Sequence, residues 1–198
     1  MKKIFLVALV VLFSSSIYSQ KKKVVKPVAT KTTAGLAKVD NLVAEIKSGN
    51  FQITINENGK PKDAIIIKSV DAKFAPTDCK LTSFTANGAK LYLLVWSEKT
   101  TTKTDLKTEN IVTINSQVYD LATKTQVFSN FQTTNNITEK VFLDKLKNAS
   151  ETQERIRREG FEFILNADSS ITQKNKTQEN KWIYDAKEVK YNDAKKKK

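Results

Sequence analysis

The chain has 198 residues, with 34 Lys+Arg against 21 Asp+Glu, no His, one Cys, five Gly and a formal charge of +13. That length suits one domain with a core of its own. The missing imidazole removes histidine-based catalysis and most zinc sites, one cysteine removes an internal disulfide, and five scattered glycines leave no phosphate-cradling loop.

Residues 1–19 read MKKIFLVALVVLFSSSIYS: two lysines, ten apolar residues from Ile4 to Phe13, then small and polar residues. This is the layout of a cleaved secretory signal, its apolar run short for a bilayer core of about 30 Å. Cleavage after Ser19 would leave Gln20 first, and no nearby cysteine offers a lipid anchor. The signal and the Lys/Asn/Ile-rich body resemble exported proteins of AT-rich bacteria. The expected address is the periplasm, with association at the outer membrane open.

Residues 20–32 form a basic tail expected to be disordered, and 194–198 a second, lysine-rich one. Nine lysines lie in Gln20–Lys31 and Lys195–Lys198, so Thr32–Ala194 carries 23 basic residues against 21 acidic. The body is close to neutral. Lysine tails attract polyanions weakly and without specificity, and three arginines in one stretch do not make a specific nucleic-acid face.

The body, 33–193, reads as a single α+β domain rich in strands. Leu36, Val39, Leu42, Val43 and Ile46 recur at helical spacing before Gly49, which predicts an amphipathic helix over Thr33–Lys47. Phe51, Ile53 and Ile55 alternate as a strand, Asn58-Gly59 turns the chain, and Ala64–Lys68 returns. Leu81–Ala86 and Lys90–Ser97 flank a second turn, Asn87-Gly88. The segment KLYLLVWS is apolar on both faces, as a strand covered on both sides requires.

Thr100–Thr108, polar and Thr/Lys-rich, reads as a long exposed loop. Ile111–Tyr119 and Thr125–Thr133 read as strands. Asn136…Glu139 and Ser150…Gln153 have capping-box spacing around Phe142, Leu146, Ala149 and Ile156, which predicts a second helical segment ending at Gly160. Phe161, Phe163 and Leu165 restart a strand, Asp168-Ser169 turns, and Trp182–Tyr184 closes a hairpin as the last strand. The expected architecture is a curved antiparallel sheet covered by the two helical segments, with a β-sandwich or barrel as the alternative.

Candidate sites are few. Cys79 is flanked by Asp78 and Lys80, and the lysine could lower its pKa, but without histidine it lacks an activating base. A structural role or a disulfide with a partner is the simpler expectation. Glu151, Glu154, Glu159 and Glu162 alternate with Arg155, Arg157 and Arg158, which reads as surface ion pairing rather than a paired-carboxylate hydrolase. Asn136, Asn148 and Asn175 match the glycosylation pattern, which Asn/Thr-rich sequence produces by chance. Tyr92 with Trp96, and Trp182 with Tyr184, each place two rings on one strand face. They are the residues proposed to contact a ligand or partner, although such rows are more often core.

No catalytic residue, cofactor or metal is predicted. The sequence points to an exported, non-catalytic envelope protein that binds a partner protein or serves as accessory subunit of an outer-membrane-associated complex. The alternative is a periplasmic carrier of a lipid or other apolar ligand, and a carboxylate hydrolase comes last.

Overall fold

A computed structural model describes residues 35–196; the expected signal, the whole of the basic tail 20–32 and the last two lysines lie outside the described residues. Thirteen strands run in chain order: β1 Ala37–Val39, β2 Leu42–Lys47, β3 Asn50–Glu57, β4 Lys60–Ser69, β5 Thr77–Ala86, β6 Ala89–Lys103, β7 Lys107–Asp120, β8 Thr125–Phe142, β9 Ser150–Gly160, β10 Glu162–Leu165, β11 Ile171–Lys174, β12 Glu179–Asp185 and β13 Lys190–Asp193. A single 3-10 turn, Ala194–Lys196, follows. Each strand pairs antiparallel with its sequence neighbour within three sheets: β1–β4, β5–β9 and β10–β13.

The described residues are therefore all-β apart from that one 3-10 turn, and the α+β expectation with two helical segments is corrected. Over residues 33–47 the apolar spacing serves a strand equally well. Leu42, Ala44 and Ile46 alternate with Val43, Glu45 and Lys47; Leu42 and Ala44 are fully buried, and Ile46 packs against their cluster. Val39, Val43 and Ile46, all β-branched, favour the pleated form. Asp40 takes a positive φ of 49° in the two-residue turn from β1 to β2, breaking any helix there. Ser48 and Gly49, with φ of 52° and 76°, then form a hairpin turn rather than a helix stop.

The second helical expectation fails for a related reason. Asn136–Glu139 lies inside β8, hydrogen-bonded on both sides to β7 and β9. Ser150–Gln153 begins β9, and Leu146, placed by the helical spacing on an apolar face, stands 80% exposed in the loop between them. Thr100–Thr108 is mostly strand, ending β6 and beginning β7. Trp182–Tyr184 lies in β12, with β13 beyond it as the last strand. The turns Asn58-Gly59 and Asn87-Gly88 form as read, with all four residues at positive φ.

The sheets stack in three layers. One core joins Leu42, Phe51, Ile53 and Ile65 of the first sheet to Leu81, Leu94, Trp96 and Tyr119 of the second. The other joins Leu91, Leu93, Val118 and Val127 of the second sheet to Ile171, Tyr184 and Tyr191 of the third. The β5–β9 sheet is thus the middle layer. In β6 the even residues Tyr92, Leu94 and Trp96 enter one core while Leu91 and Leu93 enter the other. This is why KLYLLVWS is apolar without alternation. Burying each such leucine contributes about 1.5–3 kcal/mol.

Candidate docking surface on the open half of the central sheet

The four aromatic residues singled out from sequence divide between the two cores. Trp96 is 2% exposed and meets the Phe51 ring edge-on at 5.2 Å. Its indole N–H donates to Glu98 Oε1 at 2.8 Å, and the same oxygen accepts from Lys68 Nζ at 2.7 Å and Asn115 Nδ2 at 3.3 Å. Tyr92, also buried, donates its hydroxyl to Asp40 Oδ2 at 3.2 Å. Lys90 reaches that carboxylate too, and its contact holds Asp40 below the usual carboxylate range.

Across the sheet, Trp182 donates to Gln173 Oε1 at 2.8 Å and packs edge-on against Phe128. Tyr184 is buried against Tyr191, ring centroids 5.3 Å apart. The two pairs lie on opposite sides of the middle layer. They build cores, with the polar tips of Tyr92, Trp96 and Trp182 hydrogen-bonded, and do not converge on one exposed platform.

Cys79 is half-buried, and burial followed by the neighbouring Asp78 charge pushes its thiol up to about 11, opposite to the effect expected from Lys80. Glu151, Glu154, Glu159 and Glu162 stand exposed on β9 and β10. Arg157 Nε pairs with Glu159 at 2.7 Å and Arg155 with Glu139 at 3.0 Å, so ion pairs do form, but along and across an edge strand rather than around a helix end. Asn175 spends its side-chain oxygen on the backbone N–H groups of Thr177 and Gln178 in a turn.

What the sequence reading missed is the length of the central strands. β8 spans 18 residues and β6 15, where a usual strand has about 5–6. The covering sheets pack only on the first half. Beyond Ser97 in β6 and before Ser116 in β7 the sheet continues as a single layer, apart from the contact of Glu98 with Lys68 and of Glu98–Thr100 with the segment after β4. Every residue of β9 except Gly160 is exposed. With solvent on both faces nothing imposes apolar alternation. Threonine, which suits a pleated backbone, replaces it as the signal. Cross-strand hydroxyl contacts such as Thr113 with Thr133 at 3.0 Å and Thr101 with Asn110 at 2.9 Å hold the layer.

The two faces of this open half differ. On the side of the first sheet, Glu109, Arg155, Glu139 and Asn135 surround Ile137 and reduce its exposure to 5%, while Phe131, beside the Gly160 corner, stands 56% exposed. On the side of the third sheet, Ile114 and Ile156 remain 39% and 59% exposed with Val112 and Thr134 between their rows. Here the layer meets the β11–β12 turn at a groove of about 560 Å³ lined by Gln132, Ile156, Arg158, Glu162, Lys174 and Lys176 among others. The free edge of β9 borders it. Charges along β9, with Ile156 its one large apolar residue, discourage pairing with another strand.

Gly160 closes the groove. It has φ +78°, and a β-carbon there would lie 2.2 Å from the Phe131 carbonyl oxygen. The Phe161 N–H donates to that same oxygen at 3.2 Å, and Asn130 Nδ2 donates to the Phe161 carbonyl at 2.9 Å. The corner sets the angle at which the chain leaves the middle sheet for the third.

No family model, curated protein or solved structure matches this chain.

Proposed function

We propose that this is an exported, non-catalytic protein of the bacterial envelope that holds a partner protein on the open half of its central sheet. The observation that carries the reading is the groove beside Gly160. A sheet face with two exposed isoleucines, a polar rim of both charge signs and a neighbouring turn supplies the mixed surface that protein interfaces use. Mixed charge at the rim also argues against a polyanion as occupant, since Glu159 and Glu162 stand beside Arg158, Lys174 and Lys176.

A carrier of an apolar ligand would draw on an enclosed apolar cavity. The groove and the second large hollow, about 640 Å³ against Tyr184, Asp185 and Asn192, are both open and edged with polar side chains, which favours docking. The test is purification from the source cells of the parent and of an Ile114→Lys/Ile156→Lys variant. The reading expects a stoichiometric protein with the parent and its loss from the variant, whose circular dichroism stays unchanged. A parent that elutes alone, or a variant that keeps the partner, overturns it.

A further inference from the structure

The far end of the single-layer half carries two loops that lie side by side: 104–106 between β6 and β7, and 143–149 between β8 and β9. The Lys140 N–H donates to the Leu106 carbonyl at 2.7 Å and joins them. Their apolar residues point outward. Leu106 is 45% exposed, Leu143 62% and Leu146 80%, against an interior in which leucines fall to zero. The cluster stands at the end of the layer, past both covering sheets. It suits a soft medium that closes around the tip better than a rigid protein pocket.

Four backbone N–H groups of the longer loop find partners within it, Lys147 bonding the Asp144 carbonyl at 3.3 Å. The Leu143 N–H donates to the Ala149 carbonyl at 3.0 Å, and the Asp144 carboxylate accepts the N–H groups of Asn148 and Ala149 at 2.9 and 3.2 Å. Internal pairing of this kind lowers the cost of moving a loop out of water. The charge around it leans basic: 103–107 and 140–149 hold five lysines against two acids, one of the lysines, Lys107, being paired with Glu109 at 2.9 Å. One of those acids, Asp144, is committed to the loop backbone. Lys140 and Lys147 flank the Phe142 ring, their ammonium groups 5.7 and 5.4 Å from its centroid.

We propose that this tip seats in the surface of an anionic phospholipid bilayer, with Leu106, Leu143 and Leu146 entering the interface and the lysines meeting lipid phosphates. Apolar insertion combined with basic residues at headgroup level is what holds a peripheral protein on such a surface. The site uses none of the groove residues, so it stands independently of the protein-docking reading.

The test uses the protein as its own cells export it, with vesicles of phosphatidylethanolamine and phosphatidylglycerol, or of phosphatidylcholine alone, in about 0.15 M salt. A Leu146→Trp variant should shift its emission to the blue and be quenched by brominated lipid only with the anionic vesicles. Native Trp96 and Trp182, held in the cores, report that the fold is kept. Leu106→Asn/Leu143→Asn/Leu146→Asn should bind the anionic vesicles about tenfold more weakly or worse. That variant retains the lysine tails, so binding equal to the parent would assign the attraction to the tails and overturn the proposal. So would an emission that ignores vesicles and shifts only with lipid-free envelope proteins, which would make the tip a protein contact.

Discussion

Gly160 and Phe131 meet backbone to backbone where the middle sheet gives way to the third. Because the obstructing atom is a carbonyl oxygen, no side-chain rotation can make room for a β-carbon at Gly160. Gly160→Ala should therefore destabilise the protein by about 2–4 kcal/mol, combining a left-handed backbone with overpacking. Gly88→Ala is the control: its φ is also positive, but nothing lies within 4 Å. It should cost only about 1–2 kcal/mol in urea unfolding. Equal effects at the two glycines would remove the corner from the account.

Glu98 gathers the Trp96 indole, Lys68 and Asn115 on one carboxylate oxygen. Glu98→Ala leaves a buried indole N–H without its partner and should cost about 1–3 kcal/mol. Glu98→Gln can still accept from that N–H and should cost less. Chemical denaturation of the two variants checks the order.

The far end of β6 and all of β9 are short of apolar residues where they are uncovered, and this explains which parts of the fold were legible. Phe51, Ile53 and Ile55 alternate because only one face of β3 enters an apolar core, while Gln52 and Thr54 on its other face are buried but bonded to each other and to Glu45. KLYLLVWS fails to alternate because both faces of β6 enter apolar cores. Asn58-Gly59 and Asn87-Gly88 announce hairpins through the positive φ that they need. Leu42–Lys47 was ambiguous, because six residues with apolar positions on both faces satisfy either period. Ser150–Gly160 had no apolar period to read, since solvent lies on both of its faces. The aromatic pairs were legible as same-face rows, but two same-face rows cannot say that they belong to opposite sides of one sheet. The groove depends on how far β8 and β9 outrun their covering layers, a length that tertiary packing sets.

Cys79 should be a slow nucleophile. Its thiol is pushed up to about 11 by burial and by Asp78, so little thiolate is present at pH 8. Alkylation by iodoacetamide at that pH should run at least about tenfold slower than for an unstructured cysteine, and should recover in denaturant. A rate matching the unfolded protein would show the thiol to be open and revive a disulfide with a partner.

Asp168 is held near 2 by the Ser170 hydroxyl and N–H and by Lys181 at 3.1 Å. A carboxyl with a depressed folded value stabilises the structure above its ordinary value of 3.8 and loses that contribution as pH falls toward about 2. Amide exchange across the β10–β11 turn should therefore stay constant from pH 7 to about 5, after correction for intrinsic rates, and lose protection below about 4. Asp168→Asn should abolish that acid step while Asp63→Asn, far from this turn, leaves it in place.

The claim that the open half holds a partner protein is tested most directly by a photo-crosslinking residue placed at Ile114 or at Ile156 in living cells. A third position, Ile66, 61% exposed on the outer face of the first sheet, serves as control. The account predicts one discrete protein adduct, shared by positions 114 and 156 and missing at 66. Adducts of equal yield at all three positions, or none at 114 and 156, would contradict it.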